Sequence, residues 1–263
     1  GNKCDIDEVD LLQSLAGDPN TRAIMMYVED IGSGPRFLAA AHEITHGPNP
    51  KPILVIKSGR TAEGAAAAAS HTGSLAGVDE LYNALMTQSG AFRVETVAQL
   101  FDLAEVFTDA TLPSGRKTAI ITNAGGPGIM ATDACIRHGL EIAKFRDYTK
   151  KSLQFQMPTV GSIKNPVDVI GDARHDRYRA ALDAVTADEG VDQVLVIVTP
   201  QTMTDVTQIA EVIGETKDFC NKPMAACLMG LVDVSAGVEL LQKKYGVPTF
   251  AFPENAMRAL AAK

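Results

Sequence analysis

Residues 118–138, TAIITNAGGPGIMATDACIRH, decide the fold class. Thr118–Thr122 is a short apolar, β-branched run, Asn123–Gly128 is a glycine turn, and the segment reaching His138 has helical period. A buried strand, a tight turn and a helix in that order open a parallel β-α unit. The same alternation extends outward in both directions. Ile24–Val28, Pro52–Lys57 and Phe92–Val94 read as strands in the first half, and Glu141–Phe145, Gln193–Thr199, Pro223–Met229 and Pro248–Phe252 follow in the second. The class is α/β with parallel sheets. Between the halves, residues 108–117 (TDATLPSGRK) carry Pro, Gly and Ser without periodicity, which divides the chain into domains 1–110 and 111–263.

Composition narrows the function classes. With 263 residues, 46% hydrophobic and 21% charged, the chain is long enough for two cores and has no apolar run near the roughly 18 residues a membrane span needs. A formal charge of −8 argues against a broad electrostatic grip on nucleic acid or anionic lipid, so any anionic ligand must be held locally. The four cysteines, Cys4, Cys135, Cys220 and Cys227, form no CxxC pair and no Cys/His ligand spacing. They predict reduced, mostly buried thiols in a cytoplasmic protein with no metal site. The chain opens on Gly1 with no signal peptide before its first acidic helix, the expectation being a cut or processed end.

The two halves repeat one another. Lys51-Pro52 and a strand ending at Gly59 return as Lys222-Pro223 and a strand ending at Gly230, an offset of about 171 residues. Asn2-Lys3-Cys4-Asp5 answers to Asn165-Pro166-Val167-Asp168. Gly90-Ala91-Phe92 and its helix answer to Gly246-Val247-Pro248 and theirs, where the offset falls to about 156. The first copy therefore carries roughly 15 extra residues, read as a loop, within Arg60–Gly77, RTAEGAAAAASHTGSLAG. The second copy opens with a strand, turn and helix that the first lacks. The first copy is accordingly expected to be truncated at its N-terminus and to expose an apolar edge that pairs with another chain or is poorly ordered.

An insertion in a duplicated scaffold is where chemistry is grafted. His71 lies in it, flanked by Ser70, Thr72 and Gly73 and by small residues that let backbone approach a bulky charged group. An imidazole there can serve as base, ligand or nucleophile, or it is the surface residue of an Ala-rich helix ended by glycine; composition leaves both open. Glu29 follows a strand at the carboxyl edge where α/β ligands bind, and could orient that imidazole or be a solvated loop residue beside Asp30. Asn123, Gly125, Gly126 and Gly128 make a turn whose N–H groups suit an anion, bordered by the loop Ser162–Asp172. It lacks the Gly-Lys-Ser/Thr of a nucleotide loop. His42 and His46, at i and i+4, have no third ligand and read as a helix end; His138 closes a helix where a cation suits the dipole, and His175 reads as surface.

Taken together, KSGRTAEGAAAAASHTGSLAG, NAGGPGIMATDA and KNPVDVIGDA resemble the motifs of the NDP-forming acyl-CoA synthetases, the superfamily of ADP-forming acetyl-CoA synthetase and succinyl-CoA synthetase, over nearly the whole chain. The resemblance implies two flavodoxin-like domains and a ligase reaction in three steps. Acyl-CoA and phosphate give acyl phosphate, the phosphoryl group passes to a histidine, and the phosphohistidine phosphorylates ADP. His71 matches that histidine and Glu29 the glutamate that orients it, with Ser70, Thr72 and Gly73 supporting the active loop. In the family the phosphohistidine is held at the N-termini of two facing helices, one from each flavodoxin-like domain. Asn123, Gly125, Gly126 and Gly128 match one of these phosphate-binding helix ends. The resemblance further implies that CoA and ADP/ATP with Mg are bound by CoA-binding and ATP-grasp domains outside these residues, none tightly by this chain. Those domains, on the same chain or in a homo- or hetero-oligomer, are the expected partners, and residues 1–263 alone are expected to be inactive. The alternative from another class is a non-catalytic synthetase-like domain of a protein acyltransferase or acyl-CoA sensor.

Overall fold

The computed structural model describes residues 3–72, 79–108, 111–230 and 233–263, and the chain divides into two units, Gly1–Thr108 and Asp109–Lys263. The first runs α1 (Glu8–Gly17), β1 (Ile24–Val28), α2 (Gly34–His46), β2 (Ile53–Lys57), α3 (Ala62–Thr72), α4 (Asp79–Ser89), β3 (Phe92–Val94) and α5 (Val97–Thr108). Local chemistry sets these boundaries. The Asp7 carboxylate accepts from Val9 N at 2.9 Å and Asp10 N at 3.1 Å while Asp10 accepts from Asp7 N at 2.9 Å, a reciprocal cap that starts α1. Helix α2 buries Phe37, Ala40, Ala41 and Ile44, one stripe at helical spacing. The three strands are parallel in the order β1-β2-β3, with Ile24 opposite Ile53 and Leu54 opposite Phe92.

The second unit runs β4 (Lys117–Thr122), α6 (Gly125–Arg137), β5 (Glu141–Ile142), α7 (Asp147–Gln156), β6 (Val167–Asp168), α8 (His175–Thr186), β7 (Gln193–Val198), α9 (Val206–Phe219), β8 (Met224–Leu228), α10 (Ser235–Glu239), β9 (Thr249–Phe250) and α11 (Pro253–Ala262). A π-helical turn, Leu240–Lys244, extends α10. The order is β5-β4-β7-β8-β9, all parallel, with β6 added to the end of β4. Every residue of β7, QVLVIV, is buried, as expected of a strand covered on both faces.

Three expectations need correction. The edge strands are shorter than read, Glu141–Ile142 and Thr249–Phe250, because neither has a partner strand on its outer side among the described residues. Within the presumed loop Ser162–Asp172, two residues form β6, too short to leave a periodic signal. Most of the presumed loop 60–77 is the helix α3. Its alanines are strong helix formers, and small residues are required where it packs: a Cβ on Gly59 would lie 3.5 Å from Ala65 Cα and from Ala68 Cβ. Gly59 itself turns with φ +68°, which glycine adopts without strain.

The strand register superposes the halves. Val28 pairs with Lys57 as Val198 pairs with Leu228, and Val55 pairs with Arg93 as Ala226 pairs with Thr249. The two Lys-Pro lysines do the same work. Lys51 donates to Leu15 O at 2.8 Å and Asp18 O at 2.6 Å, closing α1, and Lys222 donates to Asp188 O at 2.5 Å, just beyond α8. Each of those aspartates accepts a backbone N–H two residues on, from Asn20 at 3.0 Å and Gly190 at 2.8 Å.

Strand β7 is flanked by β4, whereas β1, its counterpart, pairs on one side alone among the described residues. Met25 and Tyr27 are 47% and 64% exposed, where their counterparts Leu195 and Ile197 are fully buried. With Ile6 and Leu11 of the α1 side they line an apolar groove along this open edge. Cys135 and Cys227 are buried, Cys220 is half-buried and Cys4 exposed, all as free thiols. No described helix is long and apolar enough to cross a membrane.

Candidate functional site

Because β1 and β2 run parallel with Val28 opposite Lys57, Glu29, Asp30, Ser58 and Gly59 leave the sheet together at its carboxyl edge. This is where open α/β sheets bind ligands. Helix α3 begins there, and His71 lies in its last turn, so this residue stands on a helix end instead of a loop. Ser70 is exposed in the same turn. The side chains of His71 and Thr72 are outside the described atoms, and Gly73 is outside the described residues.

The edge is densely ionic. Lys57 ends the otherwise apolar strand ILVIK and is 3% exposed. Its ammonium donates to Ser58 O and lies 4.7 Å from the centre of the Tyr82 ring. Tyr82 donates its hydroxyl to Asp30 Oδ1 at 2.9 Å. Burial pushes the phenol up to about 12, and the hydrogen bond to Asp30 pushes the same way. Burial likewise pushes the Lys57 ammonium below the ordinary lysine range, against the pull of Asp79, Asp30 and Glu29. Asp79 sits across the edge in an ion pair with Arg93 and lies 3.6 Å from Arg60, which also meets Glu95 at 3.6 Å. Burial raises the Asp79 carboxyl, but Arg93 and Arg60 outweigh it and hold the group below its usual value.

In the second unit the carboxyl ends of β4 and β7 flank the point where the sheet order reverses. Asn123 closes the floor there. Its Nδ2 donates to Thr199 O at 2.8 Å, and its Oδ1 accepts from Thr199 N at 2.8 Å. It is 4% exposed and ties two strand ends together. Asn123→Ala is therefore expected to cost about 1–3 kcal/mol of stability in denaturant unfolding of this chain, from two lost bonds in a buried place.

The glycines divide by role. A Cβ on Gly125 or Gly126 would meet nothing within 4 Å, so the N-terminus of α6 is open, and no side chain caps it. A Cβ on Gly128 would lie 2.9 Å from Thr122 Cγ2, so this glycine lets α6 close on β4. The Ser162–Asp172 segment borders the turn through Val169, whose N–H donates to Thr122 O at 2.8 Å. Within it Ile170 has φ +69°, a strained conformation for a β-branched residue that gave no sequence signal. Among the described residues no three His, Cys, Asp or Glu side chains cluster to hold a metal ion. His42 and His46 stack at 4.3 Å on the α2 end. His138 departs from expectation: burial first, then Arg258 and Arg137, push its imidazole below the usual value, disfavouring the cation at this helix end.

Two flavodoxin-like parallel units, one with an acidic carboxyl edge joined to a histidine-bearing helix, define the class: the chain belongs to the NDP-forming acyl-CoA synthetases. Residues 1–107 match the succinyl-CoA ligase like flavodoxin domain, and residues 118–263 match the Ligase-CoA domain. It is 44% identical over 262 residues to the 4-hydroxybutyrate–CoA ligase [ADP-forming] of Nitrosopumilus maritimus, covering 100% of this chain and 37% of that protein. It is 38% identical to the acetate–CoA ligase [ADP-forming] I subunit alpha of Pyrococcus furiosus, covering 100% of this chain and 56% of that subunit. Among solved structures, the dinucleotide forming acetyl-coenzyme A synthetase 1 of Ca. Korarchaeum cryptofilum, in complex with phosphate and ADP, superposes with TM-score 0.89 at 32% identity. The match covers 98% of this chain and 55% of that one. The chain thus spans about a third to just over half the length of these relatives.

Proposed function

We propose that this chain is the part of an ADP-forming acyl-CoA synthetase that carries the phosphoryl group between substrates on His71. The observation that carries the reading is α3: a helix inserted after β2, with no counterpart after β8 among the described residues, at the carboxyl edge that also bears Glu29.

In the first step phosphate attacks the acyl-CoA carbonyl and CoA leaves as its thiol, giving acyl phosphate. An imidazole nitrogen of His71 then attacks the phosphorus, and the carboxylate leaves. Glu29 accepts the hydrogen bond of the other ring N–H, fixes the tautomer and balances the charge that develops on the ring. ADP finally takes the phosphoryl group as ATP, returning the free imidazole. The open N-terminus of α6, with the N–H groups of Gly125 and Gly126, is the phosphate-binding element of the second unit. Domains beyond these residues bind CoA and the nucleotide, and the open edge of β1 is the surface on which a further part of the assembly completes the sheet.

Intact-mass measurement of the complete protein after incubation with Mg-ATP tests the reading. The expected product is a single phosphate adduct, labile in acid and stable in base. Absence of any adduct would favour a sensing domain without catalysis.

A further inference from the structure

The insertion that carries His71 leads into α4, and the two halves fix the start of that helix differently. Helices α4 and α10 begin at equivalent residues, Asp79 and Ser235, each followed at the same distance by a positive-φ glycine, Gly90 at +71° and Gly246 at +61°. In the second unit the start is held from next door: Asp233 Oδ1 accepts from Ser235 N at 2.9 Å and from Ser235 Oγ at 2.6 Å. The sequence places Gly77 where Asp233 stands, and glycine has no side chain to do this. In the first unit the hold comes from the sheet. Arg93 of β3 donates through Nη1 to Asp79 O at 3.2 Å and to Asn83 Oδ1 at 2.5 Å, and its Nη2 pairs with the Asp79 carboxylate. The Arg93 side chain is 10% exposed, and the strand register puts Thr249 at its place in the second unit.

An anchor inside the insertion would shift with it, whereas Arg93 belongs to a strand paired with β2. The start of the insertion reaches the same carboxylate. Thr61 opens α3, its Oγ1 accepting from Gly64 N at 3.0 Å and its carbonyl from Ala65 N at 2.8 Å. Arg60, one residue earlier, holds its Nε 3.6 Å from Asp79 Oδ2 and its Nη1 3.6 Å from Glu95 Oε1. Residues 60 and 79 therefore meet at Asp79, and the chain between them, His71 included, is closed on itself. We propose that Asp79 and Arg93 are positioning residues for the phosphoryl-accepting histidine, with Arg60 tying the start of its helix to the same carboxylate; the proposal rests on the phosphohistidine reading above. None of the three needs to touch the phosphoryl group. A segment closed at both ends samples fewer positions, and less entropy is lost when His71 is held for attack.

The test measures phosphate incorporation at His71 from Mg-ATP in the complete protein for Arg60→Gln, Asp79→Ala and the two combined, each with its melting temperature. Arg60→Gln removes an exposed ion pair and is expected to melt with the parent. Its maximal labelling rate should fall about 10-fold while the half-saturating concentration of Mg-ATP stays unchanged. Asp79→Ala, which opens the closure and frees the start of α4, should lose about 10²-fold. The combined variant should label no more slowly than Asp79→Ala, because both changes break the same contact. Should Asp79→Ala not fold, Arg93→Lys, which keeps the charge and loses the fork, takes its place in the comparison. A labelled parent with Arg60→Gln at the parental rate overturns the proposal. Rate losses that multiply in the combined variant overturn it too, since Arg60 would then act on the phosphoryl group by itself. An unlabelled parent overturns the phosphohistidine reading and this proposal with it.

Discussion

Replacing His71 by Asn is expected to reduce ATP formation from acyl-CoA, phosphate and ADP by the complete protein by about 10³-fold or more. Asn keeps a polar group of similar reach and offers no nitrogen lone pair to phosphorus, so the covalent route is closed while the fold is left alone. Glu29→Gln should cost less, about 10²-fold, because the amide still occupies the place but cannot balance the ring charge. Coupled detection of ATP measures both, and parent-level turnover in His71→Asn would remove the covalent intermediate from the mechanism. Circular dichroism melting of the same proteins should be unchanged, which separates lost chemistry from lost folding.

Gly214→Ala is expected to destabilise the second unit by about 2 kcal/mol, the opposite of what helix propensity alone dictates. Gly214 lies inside α9, where exchanging glycine for alanine ordinarily gains about 1 kcal/mol. Here the ring of Tyr245 lies flat on the glycine: a Cβ would stand 2.0 Å from Cδ2 and 2.2 Å from Cγ. The ring cannot swing aside freely, because its hydroxyl donates to Glu211 Oε1 at 2.7 Å and Lys244, itself 2.6 Å from that carboxylate, covers its face at 4.6 Å. Overpacking of about 3 kcal/mol then outweighs the propensity gain. Thermal unfolding reads the sign directly. A higher melting temperature in Gly214→Ala would show that the ring relocates at no cost.

The sequence carried the architecture because its strongest signals were burial signals. QVLVIV and TAIIT can be read as central parallel strands from composition, and both are buried almost throughout. The repeat of Lys-Pro before a strand located equivalent strands without any structure. Of the two-residue features, β6 leaves no signal because a dipeptide has no period, and the outer strands are legible in place but not in length, since their ends are fixed by their neighbours in the sheet. Around His71 the insertion argument points to a loop and the propensity of five consecutive alanines to a helix, and the helix forms through Thr72. His71 and Glu29 stand out in the sequence as residue types in suggestive places, and the proposed site rests on them. The bonds of the Asn123 amide to the strand end at Thr199 leave no sequence signal. The contacts among Lys57, Tyr82 and Asp30 leave one trace in the sequence: the aligned strands ILVIK and MAACL differ at their last residue by a full charge.

Lys51 and Lys222 also record an order of events. A bond made alike in both halves, from a lysine before the strand to carbonyls at the end of the preceding helix, belongs to the ancestral unit that was copied. Features found in one half alone, the α3 insertion and the buried ammonium of Lys57, were gained or lost after copying. The scaffold's fastenings are thus older than its asymmetry, and the specialisation of one copy proceeded on a frame whose stability was already provided for.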